Sequence, residues 1–188
     1  MELRDPHEKD PIQDVARILI PEDALRNRVC ELGQQISCDY CGLNPLLICV
    51  LKGGYVFLAD LTRTLCIRHG IDFMAISSYG NATESSGVVR ILKDLDSDIS
   101  GRHVLVVEDI VDTGHTLAYL LENLRSRQPA TIKVCTLLSK AARRQTAVQL
   151  DYVGFEIPDE FVIGYGLDYA EAYRHLPFVG VLKPEVYS

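Results

Sequence analysis

The segment HVLVVEDIVDTGHTLAYLLENL, at positions 103 to 124, constrains the fold more than any other part of the chain. Its first part, Val104 to Val107, is apolar and rich in β-branched residues, which predicts a buried strand. Leucines at helical spacing follow between Leu117 and Leu124, which predicts an amphipathic helix with one face on a core. A buried strand that leads through a short turn into such a helix indicates an α/β fold with a mostly parallel sheet.

Three carboxylates and a polar turn separate this strand from this helix. The acids are Glu108, Asp109 and Asp112, and the turn consists of Thr113, Gly114, His115 and Thr116. The turn directs successive backbone N–H groups to one point at the positive end of a helix dipole, and phosphate is the usual ligand of such a site. Three acids would repel a phosphate unless sugar hydroxyls, a divalent cation or a base that needs a proton acceptor lies between them. The alternative interpretation is an ordinary strand–helix corner with a solvated acidic loop.

The length and charge of the chain narrow the classes of protein to which it can belong. At 188 residues it is long enough for one domain with an ordinary core, so we expect a single domain over residues 1–188. The net charge of -7 argues against a general nucleic-acid binder. The charged start MELRDPHEKD lacks the apolar region of a signal peptide, and no apolar run reaches membrane-spanning length. We therefore expect a cytoplasmic protein without a membrane partner.

Cys38 and Cys41 form a C-x-x-C pair, but the sequence offers no second pair of ligands to complete a zinc site, so reduced thiols are expected.

Two further apolar runs end in a lysine. The run Leu46 to Leu51 leads into Lys52, and the run Thr131 to Leu138 leads into Ser139 and Lys140. Ligands of open α/β sheets bind at the carboxyl ends of parallel strands, so both lysines are candidates for a binding site. The alternative for each is a solvated lysine, which is the commoner state for an isolated residue like Lys140. Shorter elements are predicted as strands at Ile18 to Ile20, Ile71 to Ser77, Val88 to Leu92 and Phe178 to Lys183, and as helices after Pro21 and after Gly54.

The order Glu-Asp-x-x-Asp-Thr-Gly-x-Thr, from Glu108 to Thr116, resembles the phosphoribosyl-pyrophosphate (PRPP) motif of the type I phosphoribosyltransferases. The segment Val153 to Pro177, VGFEIPDEFVIGYGLDYAEAYRHLP, resembles the purine-binding hood of the hypoxanthine-guanine branch of that family. The resemblance implies a mostly parallel twisted sheet flanked by helices. It also implies a small hood, formed mainly by about residues 150–188 together with N-terminal residues.

The same resemblance implies an enzyme of purine salvage. Such an enzyme transfers the 5-phosphoribosyl group from PRPP to N9 of hypoxanthine or guanine, and releases pyrophosphate with IMP or GMP. The implied cofactor is Mg2+. The implied partners are PRPP and a 6-oxopurine base, in a homodimer or homotetramer that binds no nucleic acid.

Roles for the acids and the turn follow from the same motif. Asp112 would be the catalytic general base, which takes the proton from purine N7. The turn of Thr113, Gly114, His115 and Thr116 would bind the 5-phosphate. Glu108 and Asp109 would contact the ribose hydroxyls and, together with Asp168, would bind Mg2+. His115 stands where relatives often carry lysine, so a weaker or pH-dependent phosphate affinity is expected.

The pyrophosphate and the base would meet the remaining site residues. Lys52, Gly53 and Arg174 would bind pyrophosphate, with an unusual cis peptide bond between Leu51 and Lys52. Lys140 would donate to the 6-oxo group, which discriminates against a 6-amino purine because a lysine offers only donors.

Four further residues would enclose the base. Phe161 would stack on the purine ring, and the backbone of Val162 would meet the edge near its 2-position. Ser78 and Tyr79 would begin a lid, residues 78–87, that closes over the substrates and excludes water. The alternative for Phe161 is an ordinary core aromatic, and the alternative for the lid is a flexible hairpin tip.

Two other functions remain open from the sequence. One is a related enzyme that prefers xanthine, because the contact at the 2-position is made mostly by backbone. The other is a regulator that keeps the PRPP fold and binds RNA. An RNA-binding regulator needs a basic face, and the acidic net charge of this chain argues against one.

Overall fold

The computed structural model describes residues 10–79 and 88–187 of the chain. The strands are β1 (Val15–Ile20), β2 (Leu46–Leu51), β3 (Gly70–Tyr79), β4 (Val88–Lys93), β5 (His103–Val111), β6 (Thr131–Ser139), β7 (Tyr152–Glu156), β8 (Val162–Ile163) and β9 (Val179–Leu182). The helices are α1 (Glu22–Asp39), α2 (Tyr55–Thr64), α3 (His115–Ser126) and α4 (Pro184–Tyr187), and short 3-10 turns lie at Pro11–Asp14 and Ala141–Arg143.

Six strands form the main sheet in the order β4-β3-β2-β5-β6-β7. The pairs β3–β2, β2–β5, β5–β6 and β6–β7 are parallel, and only the edge pair β3–β4 is antiparallel among the described strands of this sheet. The predicted α/β fold class with a mostly parallel sheet is therefore confirmed. The run Leu46 to Leu51 forms a strand over the whole of its predicted range.

The continuous apolar runs are explained by burial on both faces of this sheet. Residues at odd positions, such as Leu47 and Leu105, pack with α1 and α2, whereas their neighbours Ile48 and Val106 pack with α3. Side chains alternate between the two faces of a strand, so a strand between two helical layers needs apolar residues at every position. The buried apolar residues of α1, α2 and α3 lie in these cores: Leu25, Val29, Leu32, Ile36, Phe57, Leu58, Leu61, Leu117, Leu120, Leu121 and Leu124.

A small second sheet stands beside the main one in the order β1-β9-β8, with both pairs antiparallel. An N-terminal strand, β1, thus joins two strands from the last thirty residues of the chain, in the region for which a hood was predicted. Strand β1 begins at Val15, three residues before the predicted Ile18. Strand β7, at Tyr152–Glu156, pairs with β6 and so belongs to the main sheet.

Strand β5 runs further than its apolar pattern indicates. The expected strand ended at Val107 with an acidic tip behind it, but β5 continues through both acids to Val111. The partner β6 supplies the reason, because Glu108 pairs with Thr136 and Val111 pairs with Ser139 in the parallel ladder. Backbone pairing with a neighbour thus extends the strand past the point where its side chains stop being apolar.

Within residues 10–79 and 88–187, no helix has the length and apolar character needed to cross a membrane.

A matched pair of isoleucines tests the two-sided core. Ile48 in β2 is 0% exposed, whereas Ile71 in the adjacent β3 is 46% exposed. We expect Ile48→Ala to lower the free energy of unfolding by about 2 to 5 kcal/mol, the usual range for removing a buried aliphatic side chain. Ile71→Ala should cost less than about 1 kcal/mol, because it opens no cavity. Urea denaturation of both variants measures the difference, and equal losses would contradict the described burial.

Candidate functional site

A tight turn joins the end of β5 to the start of α3. Strand β5 ends at Val111, and Gly114 adopts a left-handed conformation with φ 89° immediately before the first helical residue, His115. A Cβ on Gly114 would lie only 2.8 Å from the carbonyl oxygen of Thr146, so both the backbone conformation and the space require glycine. The first backbone N–H groups of α3 have no partner within the helix and are available to an anion.

A cavity of about 200 Å3 opens beside this turn. Polar atoms reach it from Glu108, Asp112 and the turn itself, and apolar side chains from neighbouring strands complete its wall. The structure therefore brings together the predicted turn and two of the three predicted acids around one space. Its residues are Val50, Ile76, Glu108, Ile110, Val111, Asp112, Thr113, Gly114, Thr116 and Leu117.

The segment after β6 folds over the outside of the turn. The backbone N–H groups of Gln145 and Thr146 donate to the carbonyl oxygen of Thr113 at 3.0 and 3.1 Å. The ring of His115 is held by the same segment, with Nε2 2.9 Å from Gln145 Oε1 and Nδ1 2.7 Å from Thr146 Oγ1. These contacts suit the tautomer that carries its proton on Nε2. These contacts could not be predicted from the sequence, because no periodicity marks a loop that covers a turn.

Asp112 has one carboxylate oxygen that lacks a hydrogen bond. Its Oδ1 atom is buried, and no donor in the described part of the chain forms a hydrogen bond with it. Arg143 Nε lies 3.3 Å from this oxygen, which is an ion-pair distance, but its N–H does not point at it. A buried acceptor beside a cavity is normally satisfied, so this oxygen fits a donor that a ligand supplies.

The adjacent acids Glu108 and Asp109 face opposite sides of β5, as neighbours in a strand do. Glu108 lines the cavity beside the turn, and burial, followed by the charge of Asp109, raises its pKa well above the usual range. Asp109 faces α2 and lies directly against the backbone of Gly53. A Cβ on Gly53 would be only 1.5 Å from Asp109 Oδ2, so no larger residue fits there without displacing the carboxylate. The two acids, predicted to act on one sugar, thus have different surroundings.

The environment of Asp109 is set by burial and by two charged neighbours. Burial raises its pKa to about 6, although its Oδ1 accepts a 2.8 Å hydrogen bond from the backbone N–H of Ile110. The positive charge of Arg174 lowers the pKa, and the negative charge of Asp168 raises it. Asp109, Asp168 and Arg174 therefore lie within electrostatic reach of one another.

The loop between β2 and α2 forms the other side of this region. The peptide bond between Leu51 and Lys52 is cis, as predicted. Lys52 Nζ lies 3.0 Å from Glu171 Oε2, in an exposed ion pair. Arg174 donates from Nη1 to the carbonyl oxygen of Gly166 at 2.8 Å, and its Nη2 lies 2.8 Å from Asp168 Oδ1.

Glu171 is a residue of this region that the sequence analysis missed. Its carboxylate lies between the two cations, because Arg174 Nη2 is 3.4 Å from the Oε2 that also contacts Lys52. An anion that binds Lys52 and Arg174 would therefore take the place of this carboxylate. Exposed acids in loops are common, so nothing in the sequence distinguishes Glu171 from its neighbours.

Lys140 directly follows the carboxyl end of β6, and Phe161 directly precedes β8 of the small sheet. The side chain of Lys140 is only 8% exposed, and its Nζ is 3.7 Å from Asp159 Oδ1. Phe161 is 39% exposed, and its ring stacks on that of Tyr187 with centroids 4.9 Å apart. Tyr169 meets Phe161 edge-on at 5.6 Å. Phe161 is thus not a core aromatic, since more than a third of its surface is exposed.

Val162, Ser78 and Tyr79 complete the predicted site residues. Val162 is buried in β8 and pairs with Val181. Ser78 and Tyr79 lie at the end of β3, where their backbones pair with Val89 and Val88 of β4. Their side chains and residues 80–87 of the predicted lid lie outside the described part of the structure. The lid therefore stays a prediction.

No group of three histidine, cysteine or acidic side chains in residues 10–79 and 88–187 is placed to hold a metal ion. Mg2+, however, is commonly bound by only one or two carboxylates together with substrate phosphates. Asp109 and Asp168 are two carboxylates close enough for the charge of one to raise the pKa of the other, which is the kind of pair such a site uses.

A separate cavity of about 480 Å3 lies between α1, α2 and the chain around Tyr165, and shares Arg174 with this region.

Residues 22–170 match the phosphoribosyl transferase domain. The hypoxanthine-guanine phosphoribosyltransferase of Bacillus subtilis is 51% identical over 175 residues, which are 93% of this chain and 97% of that protein. A hypoxanthine phosphoribosyltransferase of Staphylococcus aureus has a similar structure, with a TM-score of 0.91 and 45% identity over 96% of this chain and 100% of that chain. The bifunctional protein TilS/HprT of Listeria innocua is 50% identical over 175 residues, and there the chain spans 27% of the relative's length.

The raised pKa of Asp109 predicts a pH-dependent stability. The folded-state pKa of about 6 lies above the ordinary value of 3.8, so the protein loses stability as the pH rises from about 4 to 6. Asp109→Asn, which is neutral at every pH, should raise the free energy of unfolding by about 3 kcal/mol at pH 7 and by less than about 1 kcal/mol at pH 4. Denaturant unfolding at both pH values measures this, with the exposed Asp96→Asn as control. An equal effect at pH 4 and pH 7 would contradict the assignment.

Proposed function

Because the chain belongs to the phosphoribosyl transferase domain family, we propose that it transfers the 5-phosphoribosyl group from PRPP to N9 of hypoxanthine or guanine. The products are pyrophosphate and IMP or GMP, and the role is purine salvage. The observation that carries the proposal is the buried Oδ1 of Asp112, which accepts no hydrogen bond from the described residues and lies beside the cavity of the Thr113–Thr116 turn. A proton acceptor next to an anion-binding turn is the combination that this reaction needs.

Binding of the 5-phosphate is assigned to the turn. The backbone N–H groups at the start of α3 and the hydroxyls of Thr113 and Thr116 donate to it. Gly114 allows the backbone to approach. Glu108 lines the same cavity and accepts hydrogen bonds from the ribose hydroxyls.

The transfer step replaces one bond at the anomeric carbon by another. The bond between this carbon and the pyrophosphate oxygen breaks while the bond to purine N9 forms, and the carbon passes through an oxocarbenium-like state. Nearby carboxylates stabilise the positive charge that develops there. The proton on purine N7 goes to Asp112, which leaves a neutral purine in the product.

The departing pyrophosphate is bound from the other side of β5. Lys52, the backbone of Gly53 and Arg174 lie there and offer positive charge and donors. Asp109 and Asp168 are the residues that would hold Mg2+, which neutralises charge on pyrophosphate when it is bound. Glu171 moves aside when the anion binds, because its carboxylate occupies donors of both cations and its negative charge repels the pyrophosphate.

Recognition of the base is assigned to the carboxyl end of β6 and to the small sheet. Lys140 donates to the 6-oxo group, Phe161 stacks on the ring, and the backbone of Val162 meets the edge near the 2-position. The exposed face of Phe161 supports the stacking role. Ser78 and Tyr79 contribute the lid. The cytoplasmic location and the assembly of two or four copies stay predictions that rest on the sequence and the resemblance.

The direct test is to mix purified protein and PRPP with Mg2+ and one of four bases: hypoxanthine, guanine, xanthine or adenine. We expect nucleotide and pyrophosphate with hypoxanthine and guanine and no nucleotide with adenine, because a lysine offers no acceptor to a 6-amino group. Product with none of the four, from folded protein that binds PRPP, would refute the proposal. Product with xanthine alone would correct the choice of base.

A single substitution tests the general base. Asp112→Asn keeps the size of the side chain but cannot take up a proton, so kcat should fall by roughly 100-fold or more. The KM for PRPP should stay close to that of the unmodified protein. The exposed Asp96→Asn provides a matched control, and steady-state assays at pH 7.5 give both constants. An unchanged kcat in Asp112→Asn would remove Asp112 from this role.

A further inference from the structure

We infer that Arg143 and Asp159 are positioning residues that link the proton acceptor Asp112 to the base-recognising Lys140. Together they orient these two side chains, which act on neighbouring atoms of the purine. The inference rests on the proposed function, since it takes Asp112 and Lys140 in the roles given above.

The link is a row of four side chains with alternating charge. Arg143 Nε lies 3.3 Å from Asp112 Oδ1, and Arg143 Nη1 lies 3.4 Å from Asp159 Oδ1. Lys140 Nζ lies 3.7 Å from the same oxygen of Asp159. Arg143 therefore bridges two acids with two different nitrogens, which the planar fork of a guanidinium allows and an ammonium does not.

The positions of the purine atoms explain why Asp112 and Lys140 would need to be held relative to each other. N7 and the 6-oxo group lie next to each other on one edge of a 6-oxopurine. A side chain that accepts the N7 proton and one that donates to the 6-oxo group must therefore lie side by side. The backbone brings their residues close, because the N–H of Lys140 donates to the carbonyl oxygen of Val111 at 3.0 Å. It does not fix the ends of the side chains, and ordering a lysine costs up to about 2 kcal/mol.

Lys140 depends on Asp159 more than an exposed lysine would. Its side chain is 8% exposed, and Asp159 is the only acid within 4.0 Å of its ammonium among the residues that the structure describes. A largely buried ammonium without a partner is unfavourable, so loss of Asp159 would shift Lys140 towards other positions. Asp159 also lies two residues before Phe161 in the sequence. The row therefore connects Asp112, at the turn after β5, to the chain that carries the proposed stacking residue.

The row contributes little to the stability of the fold. The side chains of Arg143 and Asp159 are 46% and 54% exposed, and exposed ion pairs stabilise proteins by only about 0.2 to 1 kcal/mol. Variants at these positions are therefore expected to fold, and their effect should appear in the use of the base.

The test measures kcat and KM for hypoxanthine, KM for PRPP, and the ratio of kcat/KM for hypoxanthine to that for adenine. In Asp159→Asn we expect kcat/KM for hypoxanthine to fall about threefold to tenfold, the range of one ion pair with a largely buried partner, and the hypoxanthine-to-adenine ratio to fall with it. The KM for PRPP should not change. Arg143→Met should lower kcat, and Asp159→Glu and Arg143→Lys should restore part of each loss. If the two residues had only a structural role, kcat, both KM values and the activity with adenine would change together. The charge-conserving variants Asp159→Glu and Arg143→Lys would then restore none of the loss.

The neighbouring acid provides the matched control. Glu160 also pairs with an arginine, Arg17, but this pair does not touch the row. Glu160→Gln should therefore leave the kinetic constants unchanged. Lys140→Ala should lower the hypoxanthine-to-adenine ratio at least as far as Asp159→Asn.

The outcomes separate the two claims. If the unmodified protein forms no nucleotide with any base, the proposed function fails. If it is active, and Lys140→Ala loses discrimination while Asp159→Asn and Arg143→Met match the unmodified protein, only the inference is overturned. Equal losses in Glu160→Gln and Asp159→Asn would also overturn it.

Discussion

The parallel pairing of β5 between β2 and β6 is the constraint on which the rest of the structure depends. Parallel strands end at the same edge of a sheet, so the turn after β5, the Lys52 loop after β2 and Lys140 after β6 are brought together there. Each of these three features is local in sequence, and none forms a site by itself. The backbone ladder is what places them beside one another.

The alternation of side chains along β5 divides the site into two halves. Glu108 faces the turn, and Asp109 faces Gly53 and Arg174. A substrate with a phosphate at one end and a pyrophosphate at the other can thus straddle the end of one strand. In the proposed function the two adjacent acids therefore act on different groups of the substrate, whereas the sequence alone places them at the same point.

The features that the sequence predicted are those with a local physical cause. The strand in Val104–Val107, the leucine face of α3 and the glycine of the turn follow from periodicity or from a backbone conformation. The family resemblance, which the match over residues 22–170 confirms, predicted the cis bond at Lys52 that the structure contains, whereas the purine-binding hood that it implies stays a prediction. The contacts of Arg143, Asp159 and Glu171 could not be predicted, because exposed charged residues in loops form no pattern. The stack of Phe161 on Tyr187 joins residues far apart in sequence, and only the antiparallel small sheet brings them together.

The aromatic group around Phe161 has an optical consequence. The chain contains nine tyrosines and no tryptophan, and two of those tyrosines, Tyr169 and Tyr187, lie against this ring. Tyrosine emission and near-ultraviolet circular dichroism are therefore free of any tryptophan background. If the base stacks on Phe161 as proposed, it would change the surroundings of both tyrosine rings, and base binding could then be followed by tyrosine fluorescence without a label and without turnover.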